Sequence, residues 1–482
     1  MSSFNIDTPH QWKGRWQVLG SDEWLTGTLE WVPEEGFTLD LFEGAFEDFF
    51  LRGKTESKFM PGATVDGLSP LFADNLTVFG NTTEGEVSLF GVSCLSKESN
   101  MFAEMSARYS CDNAVIGLRV SSLEEDVVRR ATISVEGLHY LLGGPKTFEL
   151  SREFTDDRDS PFFAALKLRK TANSGPVKLI GVDEIAAVEH NSTLRSNRWS
   201  PTGYSGVVEE TCILTLHSDN CLSLIRLRHH RKALSWLISL IAKHPMRITS
   251  TNVTRDPVAS TERGELVQLG LSKTGSKLDW SKRLDFAFHL EHDEFLNLYQ
   301  RWLHFTETKG RLIGLLNELS LPNNNKLEMK VLLSGVLIEA FHKELFRKPD
   351  TISPDGKRKF EELYPNENIK VKGKFVFKAR ALDIYCRLPK KISHDLIPDV
   401  KDWLDSLTDL RNSIAHEAQV KDSDFVKAIA VFETTRLLVE LLLWHILEVD
   451  EEKLVEAKKN HSTFYRARQK ARKAFPHRIP NE

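Results

Sequence analysis

The residues best suited to chemistry lie in one short stretch near the C-terminal end of the chain, the hexapeptide RNSIAH at residues 411–416. The imidazole of His416 can take up and release protons near neutral pH, because its unperturbed pKa lies close to that range. The guanidinium of Arg411 stays charged and offers a planar fork of N–H donors that matches phosphate. Together they suit acid–base chemistry on a phosphodiester. An Arg and a His at this spacing also occur by chance in a chain of this length.

The hexapeptide falls in the last part of a predicted amphipathic helix. Apolar residues recur there at spacings of three and four, which indicates one buried stripe: Val400, Trp403, Leu404, Leu407, Leu410 and Ile414. At about 100° per residue, Asn412 and His416 share one face of the helix, and Arg411 lies one step around it. The three side chains are therefore predicted to line one polar site beside the core stripe.

Two further helices are predicted on either side of this one. Residues 421–424 are typical of a short connection that ends in an N-cap, and a second helix then runs to about Leu447. Its embedded charges argue against a membrane span. Upstream, residues 326–346 predict a helix that carries Glu339 inside an apolar stretch. A carboxylate in such a place requires a partner.

These features resemble the HEPN superfamily of prokaryotic RNases. The resemblance rests on a helix with the pattern Arg-Asn-x-x-Ala-His, preceded by a helix with an embedded Glu and followed by a long apolar helix. The β-rich N-terminal part, with segments such as residues 27–31 and 87–92, extends it to the ApeA type of HEPN protein in anti-phage defence. The resemblance implies a homodimer that brings two motifs into one cleft. It also implies an RNA substrate, with tRNA as a candidate.

Cleavage of RNA without a metal requires activation of the ribose 2′-OH, stabilisation of phosphoryl charge and protonation of the leaving 5′-oxygen. We expect His416 to act as general base or acid and Arg411 to clamp the phosphate. Asn412 is expected to orient His416 or the phosphate, and Glu339 to hold Arg411. The expected product is a 2′,3′-cyclic phosphate end. The alternative is a non-catalytic bundle for dimerisation or RNA binding, in which Arg411 and His416 make only structural contacts.

The composition is that of a soluble globular protein of two or three domains, with 482 residues of which 41% are hydrophobic and 27% charged. The N-terminus predicts no signal peptide, and the five cysteines show no disulfide framework, so we expect a cytoplasmic protein. No cofactor is predicted. No metal site is predicted either, because the two candidate groups of ligands lack the number and spacing of a zinc site and are interpreted as surface polar residues. These groups are His289, His292 and Asp293, and His342 with Glu339 or Glu344.

The predicted fold is α+β with several domains. Over residues 1–245, short alternating segments between turn residues predict a β-rich, sandwich-like region, either a sandwich or a barrel. We expect this region to sense infection, through a phage-derived trigger, or to restrain the nuclease. Residues 246–282 are predicted to be a linker. Residues 283–482 are predicted to form an all-α HEPN bundle with a polar insertion at about 348–374.

Charge is distributed unevenly along the chain, although the net charge is −4. Residues 1–100 hold 6 Lys and Arg against 16 Asp and Glu, whereas residues 453–482 hold 9 against 2. In this tail, cations alternate with Phe464, Tyr465 and Phe475, a pattern suited to phosphate contacts and base stacking. The alternative is a solvated basic tail. The predicted RNA-binding residues are Arg466, Arg468, Lys470, Arg472 and Lys473.

A second basic cluster spans residues 226–232. It could contact phosphate, but a solvated charged face is the favoured interpretation.

Overall fold

The computed structural model divides the chain into two compact units. The first comprises residues 1–139, 145–235 and 246–278, and the second comprises 140–144, 236–245 and 279–482. The residues that the structure describes are 5–33, 35–42, 44–46, 75–98, 106–143, 148–153, 163–168, 176–179, 183–200, 203–255, 263–268, 286–321, 325–346, 352–371 and 374–475.

The first unit is built mainly from strands in which buried and exposed side chains alternate, as expected for a sheet with one face on a core. Strands β9 and β10 form a separate hairpin, and all the others belong to one sheet of 13 strands. The strands are β1 (His10–Val18), β2 (Leu25–Val32), β3 (Gly36–Leu41), β4 (Leu76–Thr82), β5 (Gly85–Glu98), β6 (Ser106–Cys111), β7 (Asn113–Ile116), β8 (Asp126–Val135), β9 (Phe148–Glu153), β10 (Phe163–Leu168), β11 (Val177–Lys178), β12 (Glu184–Ser200), β13 (Gly203–Ser223), β14 (Ile248–Thr254) and β15 (Arg263–Gln268).

Six of these strands close into a barrel. They pair antiparallel in the order β1-β2-β3-β6-β5-β4, and β4 pairs back with β1. Trp12, Trp16 and Trp31 fill its core and are almost fully buried. Gly80 is required opposite Trp16, because a Cβ there would lie 2.2 Å from the indole ring. The predicted β-rich region is confirmed, and these six strands form a barrel rather than a sandwich.

Strand β5 is shared between the barrel and the rest of the sheet. It pairs with β4 and β6 inside the barrel and with β7 outside it, and the sheet continues through β15, β14, β8, β13, β12 and β11. The predicted linker at residues 246–282 contains strands β14 and β15, so the prediction is wrong for residues 248–254 and 263–268. The parts of it at residues 256–262 and 269–282 lie outside the described residues. The two strands are short and mostly polar, and each contains a buried apolar residue, Val253 in β14 and Leu266 in β15.

The second unit is mainly helical. Among the described helices of the chain, none is long and apolar enough to cross a membrane. The helices are α1 (Leu138–Leu141), α2 (Leu224–Ala242), α3 (His292–Ser320), α4 (Leu327–Leu345), α5 (Pro354–Leu363), α6 (Phe377–Arg387), α7 (Lys390–Leu396), α8 (Val400–Glu417), α9 (Phe425–Ile446), α10 (Glu451–Asn460) and α11 (Ser462–Ala474). Helices α1 and α2 include residues of both units. A short hairpin joins β16 (Lys370–Val371) to β17 (Lys374–Phe375).

The three helices predicted around the hexapeptide are confirmed as α4, α8 and α9. Helix α8 begins after Asp399, whose side chain accepts a hydrogen bond from the backbone N–H of Asp402 at 2.9 Å. The described residues of the predicted polar insertion at 348–374 include α5, β16 and the start of β17. Phe360 of α5 is fully buried, so this segment contributes to the core of the unit.

Candidate active site

Arg411 lies half-buried on α8 and reaches across to α4. There its Nη2 atom donates a hydrogen bond to Oε2 of Glu339 at 3.0 Å. The two side chains are 30% and 35% exposed, so the ion pair remains in contact with solvent. Glu339 thus has the partner that its place in an apolar helix required. The structure brings these two predicted site residues together.

Two more residues contact the Arg411 side chain. The ring of Phe377, at the start of α6, has its centroid 4.5 Å from the guanidinium carbon, within the range of a cation–π contact. On α4, Gly335 faces the stem of Arg411, and a Cβ at this position would lie 3.0 Å from Arg411 Cδ. The sequence prediction named neither residue. A glycine inside an apolar helical pattern was the available signal for Gly335.

His416 and Asn412 are exposed on the last two turns of α8. The helix ends immediately afterwards, where Ala418 adopts a left-handed conformation with φ of 56°. Within the described part of the chain, neither side chain has a hydrogen-bond partner. The structure therefore places His416 on the same helix as Arg411, in a position open to a ligand. It does not show the predicted contact between Asn412 and His416.

A buried polar network ties α6 to α4. Asp383 on α6 is fully buried, and its Oδ2 atom lies 3.0 Å from His342 Nε2 and 2.8 Å from Arg387 Nε. Its other oxygen accepts a hydrogen bond from the backbone N–H of Ser353 at 2.8 Å. Burial raises the pKa of Asp383, but hydrogen bonds from His342, Ser353 and Arg387 outweigh it and hold the pKa below its ordinary value. The network is structural and contains no member of the hexapeptide.

The histidines considered for a metal site have other roles. Among the described residues, no group of three His, Cys, Asp or Glu side chains is arranged to hold a metal ion. His342 is buried against Asp383, and His292 is buried at the start of α3. His289 forms a hydrogen bond through Nδ1 to the carbonyl of Tyr140 at 2.9 Å. The interpretation as surface polar residues is therefore wrong for His292 and His342.

The predicted RNA-binding residues lie on α11, which packs onto the helical unit. Phe464 and Phe475 are buried, so the base-stacking role predicted for them is wrong. Tyr465 is 48% exposed and is the aromatic residue of this helix that could stack on a base.

Three of the five cations on α11 are bound by carboxylates. Arg468 and Arg472 contact Asp395 of α7 at 3.1 and 3.0 Å. Lys470 contacts Glu433 of α9 at 2.6 Å. Arg466 and Lys473 are exposed, and neither forms an ion pair with another described residue. The solvated-tail alternative therefore fails for part of this helix, and the charge available to phosphate is concentrated at two positions.

The interpretation of residues 226–232 as a solvated face is wrong for part of this cluster, although Lys232 is exposed. Arg226 Nε donates to Glu184 at 2.6 Å, and His230 Nε2 lies 2.7 Å from the same carboxylate. Arg231 is almost fully buried. Burial raises the pKa of Glu184, but hydrogen bonds from His230 and Arg226 outweigh it and lower the pKa to about 2. His230 and Arg231 of this cluster are therefore buried in the first unit, and Arg226 and His230 bind the carboxylate of Glu184.

Two family models match the chain. The model of the ApeA N-terminal domain 1 matches residues 11–302, which is more than half of the chain. The chain belongs to the ApeA family. The model of the Apea-like HEPN domain matches residues 332–453, which include Glu339, Arg411 and His416. No curated protein and no solved structure matches the chain. The ApeA-family match places the protein among the HEPN nucleases of anti-phage defence.

Proposed function

We propose that this ApeA-family protein is a metal-independent endoribonuclease that cleaves cellular RNA, with tRNA as the candidate substrate, to stop growth of a phage-infected cell. The observation that carries the proposal is the pairing of Arg411 with Glu339 on the helix that also presents His416 to solvent. A positioned cation and an exposed imidazole on one helix are the two kinds of group that cleavage of a phosphodiester by its own 2′-OH requires.

In the proposed reaction, His416 removes the proton of the ribose 2′-OH. The 2′-oxygen then forms a bond to the adjacent phosphorus, and the bond from phosphorus to the 5′-oxygen breaks. The leaving 5′-oxygen takes a proton from an imidazolium, so the products are a 2′,3′-cyclic phosphate and a 5′-hydroxyl. Arg411 stabilises the charge on the phosphoryl oxygens through its free N–H donors. Asn412 has the exposure needed to contact the same phosphate.

The acid and the base are proposed to come from two copies of the chain in a homodimer. Helices α4 and α9 pack together, and both leave large apolar side chains at the surface, which is typical of a protein interface: Met329, Val336, Phe425 and Val426. Val336 lies one turn before Glu339 on α4. An interface that includes Val336 would bring two Arg411–Glu339 pairs toward each other. We propose that the β-rich unit responds to a phage-derived trigger and controls this nuclease in the cytoplasm.

The experiment compares wild-type protein with His416→Ala and Arg411→Ala, using total RNA with EDTA present. We expect wild type to leave 2′,3′-cyclic phosphate ends and each variant to be at least about 100-fold slower. The same three proteins are expressed in cells that are then infected by phage, and RNA ends are sequenced. This second arm supplies the trigger and identifies the substrate and cut site.

A non-catalytic role in dimerisation or RNA binding predicts the opposite result. In that case wild type leaves no new RNA ends in infected cells, and His416→Ala protects the cells as well as wild type does. Mixing wild type with His416→Ala tests the composite site, because a mixed dimer holds only one intact His416. If the acid and the base come from the two copies, excess His416→Ala lowers cleavage below the level set by the amount of wild-type chain. Cleavage that stays proportional to the wild-type chain would instead place both proton transfers on one chain.

A further inference from the structure

We propose that Phe377 is a positioning residue that fixes the plane of the Arg411 guanidinium, with Gly335 giving the Arg411 stem room to lie flat against α4. This role rests on the proposed function of Arg411 as the phosphate clamp. It assigns a task in RNA cleavage to α6, which lies outside the HEPN hexapeptide.

The contacts on Arg411 come from three directions. Glu339 binds one end of the guanidinium at 3.0 Å, and the guanidinium carbon lies over the Phe377 ring, 4.5 Å from the ring centroid. Gly335 faces the aliphatic stem, where a Cβ would come within 3.0 Å of Cδ and 3.3 Å of Nε. A hydrogen bond at one end would allow the plane to rotate about that end. The ring and the flat surface at Gly335 restrict this rotation.

An aromatic ring is well suited to this task, because it holds a guanidinium without using its N–H groups. Arg presents its N–H donors in the plane of the guanidinium, and a ring contacts only the face. Glu339 accepts from Nη2, and no other hydrogen bond from Arg411 is formed within the described part of the chain. A second carboxylate would occupy donors that the phosphate needs. Phe377 leaves those donors available in a fixed plane.

Helix α6, which begins with Phe377, is held in place by contacts with α8 and α4. Next to Phe377, Lys378 Nζ lies 2.9 Å from Asp405 on α8, the helix that carries Arg411. The hydroxyl of Tyr364 donates to the same carboxylate at 3.0 Å. Two turns further along α6, buried Asp383 is hydrogen-bonded to His342 of α4 at 3.0 Å. Helix α6 is therefore fastened to both helices that form the Arg411–Glu339 pair.

The bundle contains a matched contact far from the hexapeptide in sequence. The ring of Phe346 lies over Arg387, with 3.6 Å between its centroid and the guanidinium carbon. Arg387 also binds a carboxylate, that of Asp383. Phe346→Leu therefore removes the same kind of contact from the same helical unit, without touching Arg411. It leaves in place the groups that form the hydrogen bonds of Asp383 with His342 and Arg387.

The test measures single-turnover cleavage rates and unfolding temperatures for Phe377→Leu, Phe377→Tyr, Gly335→Ala and Phe346→Leu. We expect Phe377→Leu to slow cleavage at least about tenfold, because a small misplacement of a catalytic group has a large cost. Phe377→Tyr keeps the ring and should stay within about twofold of wild type. Gly335→Ala should slow cleavage while its unfolding temperature stays equal or rises, since Ala favours helix over Gly. Phe346→Leu should leave the rate unchanged.

The proposal is overturned if Phe377→Leu cleaves at the wild-type rate, or if Phe346→Leu and Phe377→Leu lose activity equally. A second measurement does not depend on cleavage: the Nε–Hε NMR signal of Arg411 in protein labelled at Arg. An ordered guanidinium should give a sharp, ring-shifted signal in wild type and Phe377→Tyr, and Phe377→Leu should remove the shift. If wild type cleaves no RNA, the proposed function fails, and this signal alone decides whether Phe377 orders Arg411.

Discussion

Arg411 and Glu339 form a 3.0 Å ion pair between α8 and α4, with about a third of each side chain exposed. An ion pair in contact with solvent adds little to stability, since its median contribution is about 0–1 kcal/mol. Its effect on orientation is larger, because the hydrogen bond holds one end of the guanidinium and leaves the other N–H donors available to a ligand. The pair is therefore better explained by the position of Arg411 than by the stability of the bundle.

Glu339→Gln should thus reduce cleavage without unfolding the protein. We expect the single-turnover rate to fall roughly 10- to 100-fold, and the free energy of unfolding to change by less than about 1 kcal/mol. The control is Glu344→Gln on the same helix, whose pair with Lys309 has the same 3.0 Å separation and similar exposure. Equal loss of activity in both variants would contradict the assigned role of Glu339.

The pKa of Glu184 predicts a pH-dependent contribution to stability. Hydrogen bonds from His230 and Arg226 lower this pKa from 4.5 to about 2 in the folded protein. The carboxylate therefore stabilises the fold fully above pH 4.5, and this contribution is lost as the pH falls from 4.5 toward 2. Glu184→Gln should lower the free energy of unfolding by roughly 3 kcal/mol at pH 7.

Denaturant unfolding at pH 7, 5 and 3 checks this prediction, and the gap between wild type and Glu184→Gln should narrow at the lowest pH. Asp183→Asn is the matched control, because its pair with Lys178 is more than half exposed on both sides. It should change little at any pH. A constant gap across the three pH values would show that Glu184 does not act through its charge.

Asp383 should be among the most important polar residues for the stability of the helical unit. Removing its carboxylate leaves His342 and Arg387 without their shared acceptor in a buried place. We expect Asp383→Ala to lower the free energy of unfolding by about 3 kcal/mol or more. Asp355→Ala, which breaks an exposed pair with Arg358 on α5, should cost less than about 1 kcal/mol. Thermal and denaturant unfolding of both variants provides the comparison.

The cations of α11 should separate into RNA-binding and structural residues. Arg466 and Lys473 are exposed and outside the described ion pairs, so the double change to Gln should weaken RNA binding. On single-stranded RNA, the slope of log affinity against log salt should fall by about 1.4. Arg468→Gln should instead lower stability, because Arg468 is bound to Asp395 at 3.1 Å. Fluorescence polarisation over a salt series measures the first effect, and unfolding measures the second.

The helices of the candidate site were predictable because their signals are local. The apolar period and the cap at Asp399 define α8 from its own residues, and the position of Glu339 in an apolar stretch required a partner. The identity of that partner followed only from the family resemblance. The contact of Phe377 with Arg411 joins two different helices, so neither the apolar period of one helix nor a short sequence motif predicts it.

The β-rich part shows the same division between local and distant information. Alternation predicted most of the strands of the barrel, but strand order and closure depend on pairings between distant segments. Residues 221–227 contain both the end of β13 and the start of α2 at Leu224, and a short apolar run in a sequence does not distinguish a strand from a helix. Strands β14 and β15 are short and polar, and their pairing with β8 and β7 stabilises them.

The sharing of β5 determines which fragments of this protein are usable. Its first half pairs with β4 on one side and with β7 on the other, whereas its second half pairs with β6. Strand β7 in turn has β15 as its other neighbour. A fragment that stops before residue 263 would leave β7 as an open edge, ready to pair with another chain and aggregate. The six-stranded barrel is therefore a poor choice for expression by itself, and a fragment of the β-rich unit must extend past β15.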